Sequence, residues 1–136
     1  MTILAPVHAV LSRTGLDALI LVPGANFRRV FRKDFHQMER PLEVIVPRDG
    51  KPVVLVGDLN AVPESKVMET FGKTWGRSNT EPLVTFPAAK PDKQIDYIQF
   101  RPAAEWDVVE TRVLEEPVAS DHRGMMAVLR RKDSTK

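Results

Sequence analysis

Asp49-Gly50 stands between two β-branched runs, Leu42 to Pro47 and Lys51 to Val56. Asp-Gly suits the positive backbone angles of a two-residue turn, so the pair predicts a hairpin. A hairpin joins antiparallel strands and excludes an all-parallel sheet. Eleven prolines add firm stops, so the remaining elements are expected to be short.

The other elements follow from periodicity. Leu4, Val7, Val10 and Leu11 recur at helical spacing, with Pro6 suited to a first turn and Gly15 to a stop, so residues 3–14 are expected to be a helix. Leu16 to Val22 reads as a buried strand closed by Pro23-Gly24. Residues 25–40 mix Phe27, Val30, Phe31 and Phe35 with basic residues, which predicts a short amphipathic helix. Pro63 to Phe71 reads as a helix with Val67, Met68 and Phe71 on one face and Gly72 at its end. Residues 73–94 read as loop. Ile95–Phe100, Trp106–Leu114 and Met125–Arg131 read as strands, and 132–136 as a polar tail. The expected fold is an α/β single-domain layered sandwich, a mixed sheet of about six strands with two or three helices.

Composition narrows the function classes. Hydrophobic residues make up 43% and charged residues 28%, ordinary for a globular chain able to bury one core. No apolar run approaches the roughly 20 residues of a membrane span, and the amino terminus lacks a signal-peptide pattern. Zero cysteines exclude disulfides and thiolate metal sites, and fit a reducing, cytoplasmic setting. A net charge of +2 gives no whole-molecule argument for nucleic acid.

Chemistry is concentrated in the second half. Val54-Leu55-Val56-Gly57-Asp58-Leu59-Asn60 ends an apolar strand in an Asp-x-Asn pair. Ile95-Asp96-Tyr97-Ile98 and Ala119-Ser120-Asp121-His122 follow. Asp58 and Asn60 lie two apart past a strand end and can face the same way. Asp121 adds a carboxylate, His122 can act as base or phosphate donor, and Asp96 can orient His122. Each motif alone also has a bland reading: a turn or helix cap for Asp-x-Asn, a solvated loop for Ser-Asp-His.

In order and spacing these three motifs resemble the carboxy-terminal half of the endonuclease/exonuclease/phosphatase superfamily, over about residues 53–130. Thr85-Phe86-Pro87 and Trp106 match loosely. The resemblance implies catalytic roles for Asp58, Asn60, Asp96 and His122, a metal-associated role for Asp121, and magnesium or manganese as the ion. It also implies a metal-binding Glu and an Asn in an amino-terminal half. Residues 1–52 supply neither in that setting; Glu39 and Glu43 are carboxylates in a different context. Gly124 replaces the family's usual Pro, and the family domain is considerably longer than this chain.

The first half carries another series: Gly15-Leu16-Asp17-Ala18-Leu19-Ile20-Leu21, Pro23-Gly24-Ala25-Asn26-Phe27, Met38-Glu39-Arg40-Pro41-Leu42 and Asp49-Gly50-Lys51-Pro52-Val53. Over residues 4–56 it resembles the non-catalytic amino-terminal domain of creatinase and prolidase-type enzymes. It departs from them at Arg28, Arg29, Arg32 and Lys33, a basic cluster that could bind phosphates or form a solvated helix face. His36 reads as a partly exposed residue rather than a ligand, and His8, on a helix of otherwise apolar spacing, has no partner nearby in sequence.

The two resemblances meet within Pro52–Gly57. A deliberate chimera explains such a join better than recombination inside a strand, because both cores must tolerate it. The expectation is one engineered domain over residues 1–131, built from fragments 1–52 and 53–131, with an incomplete phosphoesterase half-site. No cofactor is required, though magnesium or manganese could bind weakly. No partner is obligatory, nucleic-acid binding is at most weak, and the state is a monomer or weak homodimer. The alternatives are a minimal magnesium-dependent phosphodiesterase and a basic nucleic-acid-binding module.

Overall fold

Pro6 lies in the first turn of a helix, α1, spanning Ala5–Thr14. A computed structural model of the chain describes residues 4–21, 43–48 and 53–132. Gly15 ends α1 in the left-handed region, at φ 72, and donates its N–H to Leu11 O at 3.0 Å. That is the cap expected of glycine, which pays no Cβ penalty there. The chain forms two compact units, residues 1–57 and 58–136.

In the first unit, β1 (Ala18–Leu21) pairs antiparallel with β2 (Glu43–Pro47), Ile20 opposite Ile45. β2 pairs antiparallel with β3 (Val54–Asp58), Ile45 opposite Val54. The expected hairpin strands are thus partners, while the turn at Asp49-Gly50 lies outside the described residues. β2 alternates as a half-buried strand should: Val44 and Val46 are buried, Glu43, Ile45 and Pro47 less so. Val44 and Val46 meet Leu4, Val7 and Leu11 of the α1 region, with Leu19 and Leu55 alongside. Burying each such aliphatic side chain contributes about 1.5–3 kcal/mol. Arg48 braces the end of α1: its guanidinium donates to Gly15 O at 2.6 Å, Leu16 O at 2.9 Å and Asp17 Oδ1 at 2.9 Å. These bonds satisfy carbonyls just past the helix end.

In the second unit, α2 spans Lys66–Gly72 and starts where Ser65 Oγ accepts the Met68 N–H at 3.3 Å. The helix therefore begins three residues later than Pro63. Met68 turns inward, but Val67, expected on the same face, is 49% exposed. Within the stretch expected to be loop, β4 (Gly76–Arg77) pairs antiparallel with β5 (Asp96–Phe100). A Cβ on Gly76 would come within 2.5 Å of the Phe100 ring, so any larger residue there would have to displace that ring. A short 3-10 helix, Ala103–Glu105, leads into β6 (Trp106–Val113), which pairs antiparallel with β7 (Met125–Arg131). Ala61, Met68 and Tyr97 form this unit's core with Leu59 beside them.

The α/β class holds: the described residues contain two α-helices and antiparallel ladders. The strand expected from Leu16 starts at Ala18, and Leu16 is 52% exposed. The amphipathic helix over 25–40, with Arg28, Arg29, Arg32, Lys33, His36 and Glu39, lies outside the described residues. So does nearly all of the tail. Among the described residues no helix is long and apolar enough to cross a membrane.

Candidate active site

Asp58 is the last residue of β3 and Asp96 the first of β5. The Leu59 N–H donates to Ile95 O at 2.9 Å, which ties the Asp58 loop to the start of β5. Asn60 adopts a positive φ of 49, a conformation asparagine tolerates better than most residues. Its backbone N–H donates to Asp58 Oδ1 at 2.8 Å and its side-chain amide to Asp58 Oδ2 at 3.2 Å. The Asp-x-Asn pair is thus a local turn that holds one carboxylate in a set orientation.

His122 is buried, and its Nδ1 lies 2.8 Å from Asp96 Oδ2. Thr85 Oγ1 donates to the same Oδ2 at 2.6 Å. With Asp96 ionised, Nδ1 is the donor, and the Nε2 lone pair is left for another group. Among the described residues Nε2 has no hydrogen-bond partner, although it is buried. The Phe86 ring covers the imidazole at 4.6 Å between centroids. Ligand atoms of Asp58, Asp96 and His122 all lie within 4.8 Å of one another. Two carboxylates and an imidazole at this spacing can hold a cation, or can hold a phosphate oxygen and a water beside a base.

Four of the expected residues are therefore tied together: Asn60 to Asp58 by hydrogen bonds, and Asp58, Asp96 and His122 by proximity. Asp121, expected to be the metal-associated carboxylate, is not in the cluster. Its side chain is exposed and takes a bond from Ser120 Oγ at 3.3 Å, while its carbonyl accepts the Ala88 N–H at 2.8 Å. Thr85 and Phe86, noticed only as part of a loose pattern, turn out to touch the Asp–His pair directly. Their signal was the Thr-Phe-Pro run itself. An open pocket of about 440 Å³ lies along α2, lined by Met68, Trp75 and Gln99 among others, and none of the clustered residues lines it.

The sequence matches the profile of the Endonuclease/Exonuclease/phosphatase family over residues 6–122. The match begins well before residue 53, so it takes in the segment read as creatinase-like and adds no support to that reading. No curated protein and no solved structure matches the chain.

Proposed function

The chain belongs to the endonuclease/exonuclease/phosphatase family, and from that premise we propose that residues 58–136 hold half of a metal-dependent phosphoesterase site that does not turn over efficiently. The observation that carries this reading is the buried, unpartnered Nε2 of His122 behind an Asp96 that fixes Nδ1. An imidazole held in this way takes a proton at Nε2 as a general base, and only once protonated there does it donate to a phosphate oxygen. Asp58, oriented by Asn60, stands beside it to position water or phosphate.

A divalent cation would draw on Asp58, Asp96 and His122 and would supply Lewis-acid stabilisation of phosphoryl oxygens. The donor set fits a loosely held ion. Magnesium prefers a nearly complete octahedron of oxygens, and two carboxylates with one nitrogen fall short of that. Without a further carboxylate the electrostatic stabilisation that dominates such catalysis is reduced.

A second part of the reading is an engineered fusion of a creatinase-like segment to a phosphoesterase half. The boundary between the compact units, after Gly57, coincides with the end of the Pro52–Gly57 stretch where the two resemblances meet.

The test is hydrolysis of plasmid DNA, abasic-site DNA and a simple phosphodiester with magnesium or manganese. The expected rate is background. Robust turnover that His122→Ala and Asp58→Ala abolish would overturn the proposal and establish a minimal phosphodiesterase.

A further inference from the structure

Thr85 is fully buried, and its polar groups all point to one purpose. Its hydroxyl donates to Asp96 Oδ2, the oxygen that also faces His122 Nδ1. Its N–H donates to Lys93 O at 2.8 Å, and its carbonyl accepts the Arg123 N–H at 2.8 Å. Arg123, next to His122, donates from Nε to Ala88 O at 2.8 Å, and Ala88 N–H donates to Asp121 O at 2.8 Å. Segments 85–88 and 121–123 are therefore laced together on both sides of the imidazole.

We infer that Thr85 and Arg123 are positioning residues that lock Asp96 against His122 and so keep the imidazole in the tautomer with Nδ1 protonated and Nε2 bare. The inference deepens the half-site reading and rests on it for its purpose. The physical argument is local. A carboxylate that receives a single bond from an imidazole can rotate and offer either oxygen. A second donor on the same oxygen, from a side chain fixed by two backbone bonds, removes that freedom. The Arg123 bond to Ala88 O holds the loop carrying His122 at the distance this geometry needs. Thr85 bonds to Asp96 and Arg123 to Ala88 O, so both act through the Asp–His pair.

The experiment is ¹⁵N spectroscopy of the His122 ring in the full chain, at a pH where the imidazole is neutral and with no metal added. Wild type should show two well-separated ring nitrogen signals, Nδ1 protonated and Nε2 bare. Thr85→Val removes the hydroxyl at nearly constant shape and should make the two signals converge. Thr85→Ser keeps the hydroxyl and should restore the separation. Arg123→Met removes the clamp to Ala88 and should cause partial convergence. A folded Thr85→Val protein with the wild-type pattern would overturn the inference, as would a Thr85→Ser protein as converged as the valine variant. If the valine variant does not fold, an unchanged pattern in Arg123→Met is the overturning result. An unchanged pattern in Arg123→Met beside a converged Thr85→Val would overturn the role of Arg123. The readout needs neither turnover nor a bound ion, so failure of the phosphoesterase reading leaves these outcomes distinct.

Discussion

Tyr97 is the chain's single tyrosine, and it is 1% exposed. Its hydroxyl reaches Ala61 O at 2.6 Å and Gln94 O at 3.2 Å, so it joins the loop after Asp58 to the segment before Asp96. Burial pushes the hydroxyl from 10.0 up to about 12, against the opposing pull of Arg77 and with help from Glu64 and Asp96. The folded state thus holds this proton more tightly than the unfolded chain does. The stability this contributes is fully present below pH 10.0 and is lost as pH rises towards about 12. Alkaline unfolding followed by tyrosinate absorbance should therefore show ionisation coupled to loss of structure, with no free phenol titrating near pH 10.0 in the folded protein. Tyr97→Phe should remove that alkaline dependence and cost about 1–3 kcal/mol at neutral pH, because Ala61 O loses its closest donor. A normal tyrosine titration in a still-folded protein would contradict this account.

Elements were legible where a local rule was strong. Met125–Arg131 appears with the expected bounds, and Gly15 stops α1 as its backbone freedom predicts. The limits of α2 were not legible, because Pro63 invites a helix start while Ser65 provides the cap. The bond from the Met68 N–H to Ser65 Oγ decides the matter, and the helix register then exposes Val67. β4 was hidden because its two residues, Gly76 and Arg77, carry no strand pattern; the fit of a glycine against Phe100 is a tertiary fact. The site divides the same way. Asp58, Asn60, Asp96 and His122 sit in contiguous motifs, and their closeness to one another follows from those motifs. Thr85 reaches Asp96 across a long loop, and the exposure of Asp121 depends on how that loop meets its backbone. A helix of seven residues is marginal without its cap. Ser65→Ala should therefore destabilise the protein by about 1 kcal/mol. Comparing thermal unfolding of the variant with that of Ser65→Asp, which retains an acceptor, tests this: the alanine variant should melt lower and the aspartate variant close to wild type.

At the scale of the whole molecule, the field and the site pull a cation in opposite directions. The formal net charge is +2, which repels a divalent ion weakly. Exposed charges more than about 8 Å away are largely screened at physiological ionic strength. The two carboxylates at the cluster are close enough that their attraction outweighs that distant field. Binding has its own local cost, because both Asp58 oxygens already accept bonds from Asn60. Displacing such bonds costs about 1 kcal/mol each, and nothing in the cluster completes an oxygen octahedron. The balance predicts magnesium binding in the millimolar range, roughly the affinity of the weakest dedicated oxygen-ligand sites. Titrating magnesium against backbone amide signals should move residues 58–60, 95–97 and 122 together, and Asp58→Asn should suppress the movement at all three. Saturation at micromolar magnesium would mean that further ligands complete the site. No movement through tens of millimolar would mean that the carboxylates and His122 are held for their hydrogen bonds alone, with no cation site among them.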